Sequence, residues 1–260
     1  MTSDATWVGS MPEAYDQLLG PVKFTPYARE LALRVSAFRP GELLELAAGT
    51  GLLTRELVTS GARVLATDLN PPMVAWGSEH VVDASWSEAD AQDLPFDDGR
   101  FDAVACGFGV MFFPDRVKAY SEVRRVLRSG GAFVFSVWDA VEQNAFTRDV
   151  YDEVVALFPD DPPDFMTRVP YGYHDADLIT ADLAAAGFHD VVIEHVALTT
   201  AGESAASYAD GYSYGTPLRF ALAERGSLDE IASTLRSRLT ARWGEGSIEQ
   251  AMSAYVVTCL

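Results

Sequence analysis

Positive charge is scarce in this chain of 260 residues: 19 lysines and arginines stand against 38 aspartates and glutamates, a formal net charge of −19. Proteins that grip RNA or DNA neutralise phosphates with clustered Lys and Arg. The balance therefore argues against a nucleic-acid substrate and for a small-molecule one. The one basic cluster, Arg124-Arg125 with Arg128, reads as a solvated helix face. Cysteine is scarcer still. Cys106 and Cys259 lie far apart in strand-like surroundings, which excludes a disulfide framework and suits buried thiols in a reducing compartment. The cysteines and the four histidines form no cluster with zinc spacing. No apolar run is long enough to predict a transmembrane helix. Met1-Thr-Ser-Asp-Ala-Thr6 lacks a basic segment followed by an apolar stretch, so no secretory signal is expected. These absences predict a cytoplasmic protein without nucleic-acid or membrane partners; a homodimer is left open.

What is present is a glycine turn between two apolar runs. Leu43-Leu44-Glu45-Leu46 leads into Ala47-Ala-Gly49-Thr-Gly51, and Val64-Leu65-Ala66-Thr67 ends on Asp68. The pattern reads as strand, glycine turn, helix, strand, acid. Glycines allow close backbone approach to a ligand, and an acid at the second strand tip can grip a ribose diol. A dinucleotide fold would want G-x-G-x-x-G, but Thr54 stands where the third glycine is needed. That argues against a nicotinamide oxidoreductase.

The pattern matches E-x-G-x-G-x-G with Ala47 at the first glycine, and here the chain resembles the class I S-adenosylmethionine (SAM)-dependent methyltransferases. Later motifs follow in the family's order: Asp68-Leu-Asn-Pro71, Asp90-Ala-Gln-Asp-Leu-Pro-Phe96, Asp98-Gly-Arg-Phe-Asp-Ala-Val104, and Val126-Leu-Arg-Ser-Gly-Gly131 before an apolar strand. Phe108-Gly-Val-Met-Phe-Phe-Pro-Asp115, Tyr171-Gly-Tyr-His-Asp175, Ala185-Ala-Gly-Phe188 and Gly215-Thr-Pro-Leu-Arg219 resemble a small-molecule branch similar to the ubiquinone/menaquinone-type enzymes.

The resemblance implies an α/β fold: a Rossmann-like, seven-stranded, mostly parallel sheet with helices on both faces, its last strand antiparallel. It implies SAM as cofactor and S-adenosylhomocysteine (SAH) as product. The implied cofactor residues are Glu45, Ala47, Gly49, Gly51, Asp68, Leu69, Met73, Asp90, Ala91 and Cys106, with Tyr15 and Phe24 closing over them. Phe108, Phe112, Trp138, Tyr173 and Tyr212 are candidate walls for an apolar or aromatic acceptor. His174 is the candidate base. A metal-dependent route is not expected, because Asp139 is followed by Ala140 rather than the Asn of an Asp-Asn pair.

Phe24, Tyr27, Ala28, Leu31, Val35 and Phe38 recur at helical spacing and predict helix over 12–38. Alternating strands and helices fill 41–138. Strands are expected at 191–196 and 254–258. Residues 1–40 and an insertion near 200–250 are expected to form a helical lid on one methyltransferase domain. The expected chemistry is in-line transfer of a methyl group to an O, N or C atom of a small metabolite. The alternative is a SAM-binding enzyme that catalyses cyclisation or rearrangement without transferring methyl.

Overall fold

The computed structural model describes residues 3–260. Seven strands form one sheet in the order β3-β2-β1-β4-β5-β7-β6. They are β1 (Glu42–Glu45), β2 (Arg63–Asp68), β3 (Ser85–Glu88), β4 (Phe101–Gly107), β5 (Leu127–Trp138), β6 (Val191–Ser204) and β7 (Ser247–Cys259). β1 to β5 pair in parallel, and β7 inserts antiparallel between β5 and β6. The expected sheet, including its antiparallel last strand, is what forms.

The central strands are apolar on both faces because both are covered. Alternation sorts their side chains by size. Leu43, Ala103, Ala105, Ala132 and Val134 face the helices Thr25–Ser36 and Leu52–Leu57. Leu44, Val104, Cys106, Phe133 and Phe135 face Arg116–Val126 and Ala176–Ala185. Asp115 caps the first of that pair, its Oδ1 accepting from the Lys118 N–H at 2.9 Å. Asp175 caps the second through the Asp177 N–H at 2.9 Å. Both cysteines are free and buried. Arg125 pairs with Asp98 and Glu122 at the surface, and Arg128 pairs with Asp102.

Two expected outlines are corrected. The helix predicted over 12–38 is not uniform: Met11–Ala14 continues as a wider π-type turn over Tyr15–Phe24 before Thr25–Ser36. Pro21 lies inside that turn and has no N–H to give to an α-helical ladder. The Thr25 N–H instead reaches back five residues to Gly20 O. The insertion is also shorter than 200–250. β6 and β7 continue as a paired ribbon to Ser204 and from Ser247, with Leu198 opposite Met252 and Thr199 opposite Ala251. Three helices, Ala205–Gly215, Leu218–Ala223 and Leu228–Trp243, fill the space between.

Those helices build a cap with its own apolar core, which also takes in Ala145–Leu157 and Phe165–Arg168. The cap joins the N-terminal helices through glycines. A Cβ on Gly211 would sit 2.7 Å from Leu19 Cδ2, and one on Gly215 would sit 2.7 Å from the Tyr15 backbone nitrogen. Among the described residues, no helix is long and apolar enough to cross a membrane.

Candidate active site

The chain leaves β1 for β2 and β3 on one side, then returns to β4 on the other. Open α/β sheets bind ligands at such a switch point, beyond the carboxyl ends of the strands. A cavity of about 500 Å³ lies there, between the strand ends and the cap.

Its sheet end is acidic. Glu45 at the tip of β1 is buried, and its Oε2 accepts a 2.6 Å hydrogen bond from Thr54 Oγ1. Thr54 thus does at the third-glycine position what glycine cannot: it orients the acid. Burial pushes the Glu45 carboxyl up to about 8, against the opposing pull of the Thr54 hydrogen bond. Asp68, at the tip of β2, ties the glycine turn to its own strand. Its Oδ2 accepts from the Gly49 N–H at 2.9 Å, and its Oδ1 accepts from the Asn70 N–H at 2.8 Å. Burial raises this acid too, opposed by those hydrogen bonds. Asp90 Oδ1 accepts from the Gln92 N–H at 2.8 Å, holding the turn after β3.

Two residues here have left-handed backbones without being glycine. Ala47 has φ 49° and Phe108 has φ 54°. Such a conformation costs an L-residue ~1–2 kcal/mol. For Ala47 this explains why the matching motif position is usually glycine. Its methyl faces Gly109, where an added Cβ would lie 2.5 Å away. Phe108 is held by its N–H, which donates to Ser136 O at 3.1 Å, and by its ring, stacked on Trp138 at 3.9 Å. Strain concentrated beside a cavity is a mark of functional geometry.

The cap end is aromatic. Phe24, Tyr27, Phe108, Trp138, Tyr171 and Tyr212 line it, with Lys23 among them. Trp7 and Phe112 meet edge to face at 5.5 Å at the cavity wall. Two buried polar atoms of lining residues, Trp7 Nε1 and Thr50 Oγ1, have no hydrogen-bond partner among the described residues.

The cavity therefore gathers most of the residues singled out from the sequence: Glu45, Ala47, Gly49, Asp68, Leu69, Met73, Asp90, Ala91, Tyr15 and Phe24, and the acceptor candidates Phe108, Phe112, Trp138 and Tyr212. Four do not line it. Gly51 starts the helix Leu52–Leu57, and its φ of 88° and lack of a side chain let it lie against Val81 and Trp86. Cys106 is buried behind the glycine turn, its thiol pushed up by burial. Tyr173 turns away to donate its hydroxyl to Asp182 at 2.9 Å. His174 is exposed, its Nδ1 2.8 Å from Tyr171 O. His174→Ala is accordingly expected to leave SAH affinity and turnover within about 2-fold of the parent, checked by calorimetry and SAH release. A larger loss of turnover would return His174 to the site.

Lys23, Trp7, Tyr171, Thr50 and Asn70 were not singled out as site residues. Tyr171, Thr50 and Asn70 do stand inside the sequence motifs, and Lys23 is a lysine on an otherwise apolar N-terminal stripe; Trp7 carries no such signal.

The donor set suits SAM. Glu45 lies buried and, among the described residues, pairs with no cation, a match for a cationic ligand. Asp68 has oxygens fixed by N–H donors and lone pairs left for a diol. A family model described as a methyltransferase domain matches residues 44–135. The demethylmenaquinone methyltransferase of Clavibacter sepedonicus is 33% identical over 169 residues, covering 60% of this chain and 68% of that protein. The chain belongs to the class I SAM-dependent methyltransferases, related to the ubiquinone/menaquinone-type enzymes, and its cofactor is SAM.

The demethylmenaquinone methyltransferase of Beutenbergia cavernae is 41% identical over 107 residues, 41% of this chain and 45% of that protein. The matched stretches thus span about half the length of most of these curated relatives. In fold, the chain is similar to phosphoethanolamine N-methyltransferase 2 of Haemonchus contortus, solved with SAM. The TM-score is 0.59 at 17% identity, over 95% of this chain and 56% of that one.

Proposed function

We propose that this protein transfers the methyl group of SAM to a small aromatic acceptor held under the cap. The observation that carries this reading is the polarity of this cavity: acids and backbone turns at its sheet end, aromatic rings at its cap end. SAM, when bound, supplies an already electrophilic methyl group. Glu45 would take the cationic amino-acid end, Asp68 the ribose hydroxyls, and Asp90 with Ala91 the adenine. Thr50 Oγ1, buried without a partner, is available to the same ligand.

The cap residues would align the acceptor and exclude water. Alignment of reactants is worth up to ~7–11 kcal/mol of barrier. Phe108 stacked on Trp138 makes a flat wall, which suits a planar ring. The relatives named for demethylmenaquinone and for ubiquinone/menaquinone biosynthesis point to ring-bearing, quinone-type acceptors; the wall itself supports aromatic acceptors generally. A residue set of this kind delivers the methyl without a metal ion.

The test is SAH release on incubation with SAM and a panel of aromatic acceptors, 1,4-dihydroxynaphthalene among them. Acceptor-dependent SAH is expected. Conversion of an acceptor without SAH release would favour the non-methylating alternative.

A pH dependence follows from Glu45. In the cofactor-free protein its carboxyl is pushed up to about 8. A cationic ligand needs the carboxylate, so binding below that value must expel a proton. SAM affinity is expected to rise with pH, at most ~10-fold per unit, and to flatten above about 8. Calorimetry at pH 7 in buffers of different ionisation enthalpy should show close to one proton released. Zero proton release would remove Glu45 from the cationic end of the ligand.

A further inference from the structure

The chain has two lysines, Lys23 and Lys118. Lys118 is exposed, whereas Lys23 is 4% exposed and lines the cavity. Lys23 Nζ donates to Tyr171 OH at 2.7 Å and to Thr147 Oγ1 at 3.2 Å, and lies 4.0 Å from the centre of a Trp138 ring. Tyr171 OH and Thr147 Oγ1 also bond each other at 3.1 Å, and Thr147 reaches Tyr212 OH at 2.6 Å. Among the described residues, no carboxylate pairs with this amine. An amine buried without a counter-ion is disfavoured as an ammonium. The widened turn around Pro21 carries Lys23, and such turns recur at functional sites.

We propose that Lys23 is a catalytic base: its neutral amine takes the hydroxyl proton of a phenol-type acceptor lying against Trp138 and Phe108. The assignment rests on the SAM-dependent transfer above and names the acceptor chemistry for it. The acceptor oxygen, relieved of its proton, gives an electron pair to the methyl carbon. The carbon–sulfur bond breaks, and its pair stays on sulfur as a neutral thioether. The proton stays on Lys23 Nζ until product leaves and water takes it. The positive charge lost from the sulfonium thus reappears on Lys23. There the faces of Trp138, Tyr171, Tyr212 and Phe24, all within 5.9 Å of Nζ, receive it.

The surrounding groups fit this role, and among the described lining residues no other base does. The titratable groups facing Nζ are the phenols of Tyr171 and Tyr212, both raised by burial and so poor acceptors of charge as phenolates. Tyr27, on the following helix, is engaged with Val196 O at 3.0 Å. Tyr15, on the same turn as Lys23, is likewise raised by burial. The lining acids Glu45, Asp68 and Asp90 stand at the strand ends. Lys23 alone is brought down, to about 7, by burial alone, where an amine serves as a base near neutral pH.

The test uses SAH-loaded protein and p-nitrophenol, whose absorbance reports loss of its proton without any methyl transfer. With two lysines, isotope-labelled lysine gives two NMR signals, and Lys118 is the internal reference. The expected results are a Lys23 signal titrating near neutrality and a bound-phenolate band in the parent protein. Lys23→Met should lose the band and keep SAH affinity within about 2-fold. Absence of the band in the parent, its persistence in Lys23→Met, or a Lys23 signal titrating with Lys118 would overturn the proposal. So would Lys23-dependent binding of p-nitrobenzoate with no phenolate from p-nitrophenol, which would make Lys23 an anion-binding cation. Failure of the parent to bind SAH is a different result; it would sink the SAM-dependent reading itself.

Discussion

Asp68→Ala is expected to weaken SAH binding by more than about 100-fold, or ~3 kcal/mol. Two losses add. The ribose hydroxyls lose a charged acceptor, worth ~1.5–3 kcal/mol. The Gly49 N–H, now held by Asp68 Oδ2 at 2.9 Å, loses its partner, and with it the turn loses its tie to β2. An unpaired buried donor costs ~1–3 kcal/mol. Asp68→Asn separates the two, since its amide oxygen can accept from only one side of the original bridge while keeping the size of the side chain. Calorimetric titration with SAH is the measurement. Affinity within 3-fold of the parent in Asp68→Ala would remove Asp68 from the binding site.

Lys23→Met should make the protein more stable, and the gain should depend on pH. A lysine ordinarily titrating at 10.5 is brought to about 7 by burial in the fold. Between those values the unfolded chain holds a proton that the folded chain does not, so wild-type stability rises with pH across that window. The penalty is complete below about 7 and gone above 10.5. A side chain of similar length without charge escapes it. Because Lys23 borders a cavity that admits water, the gain at pH 6 is set at roughly 3 kcal/mol, or ~8 °C in Tm. The hydroxyls left behind still have each other, since Tyr171, Thr147 and Tyr212 are mutually hydrogen-bonded. Thermal unfolding at pH 6, 8 and 10.5 should show the two proteins converging. A variant less stable than the parent at pH 6 would mean that Lys23 is a structural anchor.

The cofactor half of this fold was readable because backbone geometry there depends on residue type. A glycine turn after an apolar run, an acid at the next strand tip and an Asp-Ala turn occupy fixed places in the chain, and the structure puts them around one cavity. The acceptor half was not readable in the same way. Its lining comes from separate stretches, around Trp7, Lys23, Phe108, Trp138, Tyr171 and Tyr212, brought together by packing. His174 and Tyr173 show the difficulty. Both lie beside Tyr171 in sequence, yet only Tyr171 faces the cavity; its neighbours are drawn to Asp182 and to solvent. The long ribbon of β6 and β7 was hidden because its extension includes Gly202, a residue that reads as turn rather than strand, and Gly202 is needed there for Val22 to approach.

The position of β7 has a consequence for how the molecule comes into being. β6 precedes β7 in the chain but meets the rest of the sheet only through it. As the polypeptide emerges from a ribosome, β1 to β5 can assemble in sequence, and the SAM-binding turns with them. β6 must wait with an open edge until β7 slides in beside β5. Such distant pairing is slow and leaves a strand edge exposed to other chains. The cavity, lined from the N-terminal helices and the cap as well as the early strands, is complete only once that last strand is in place.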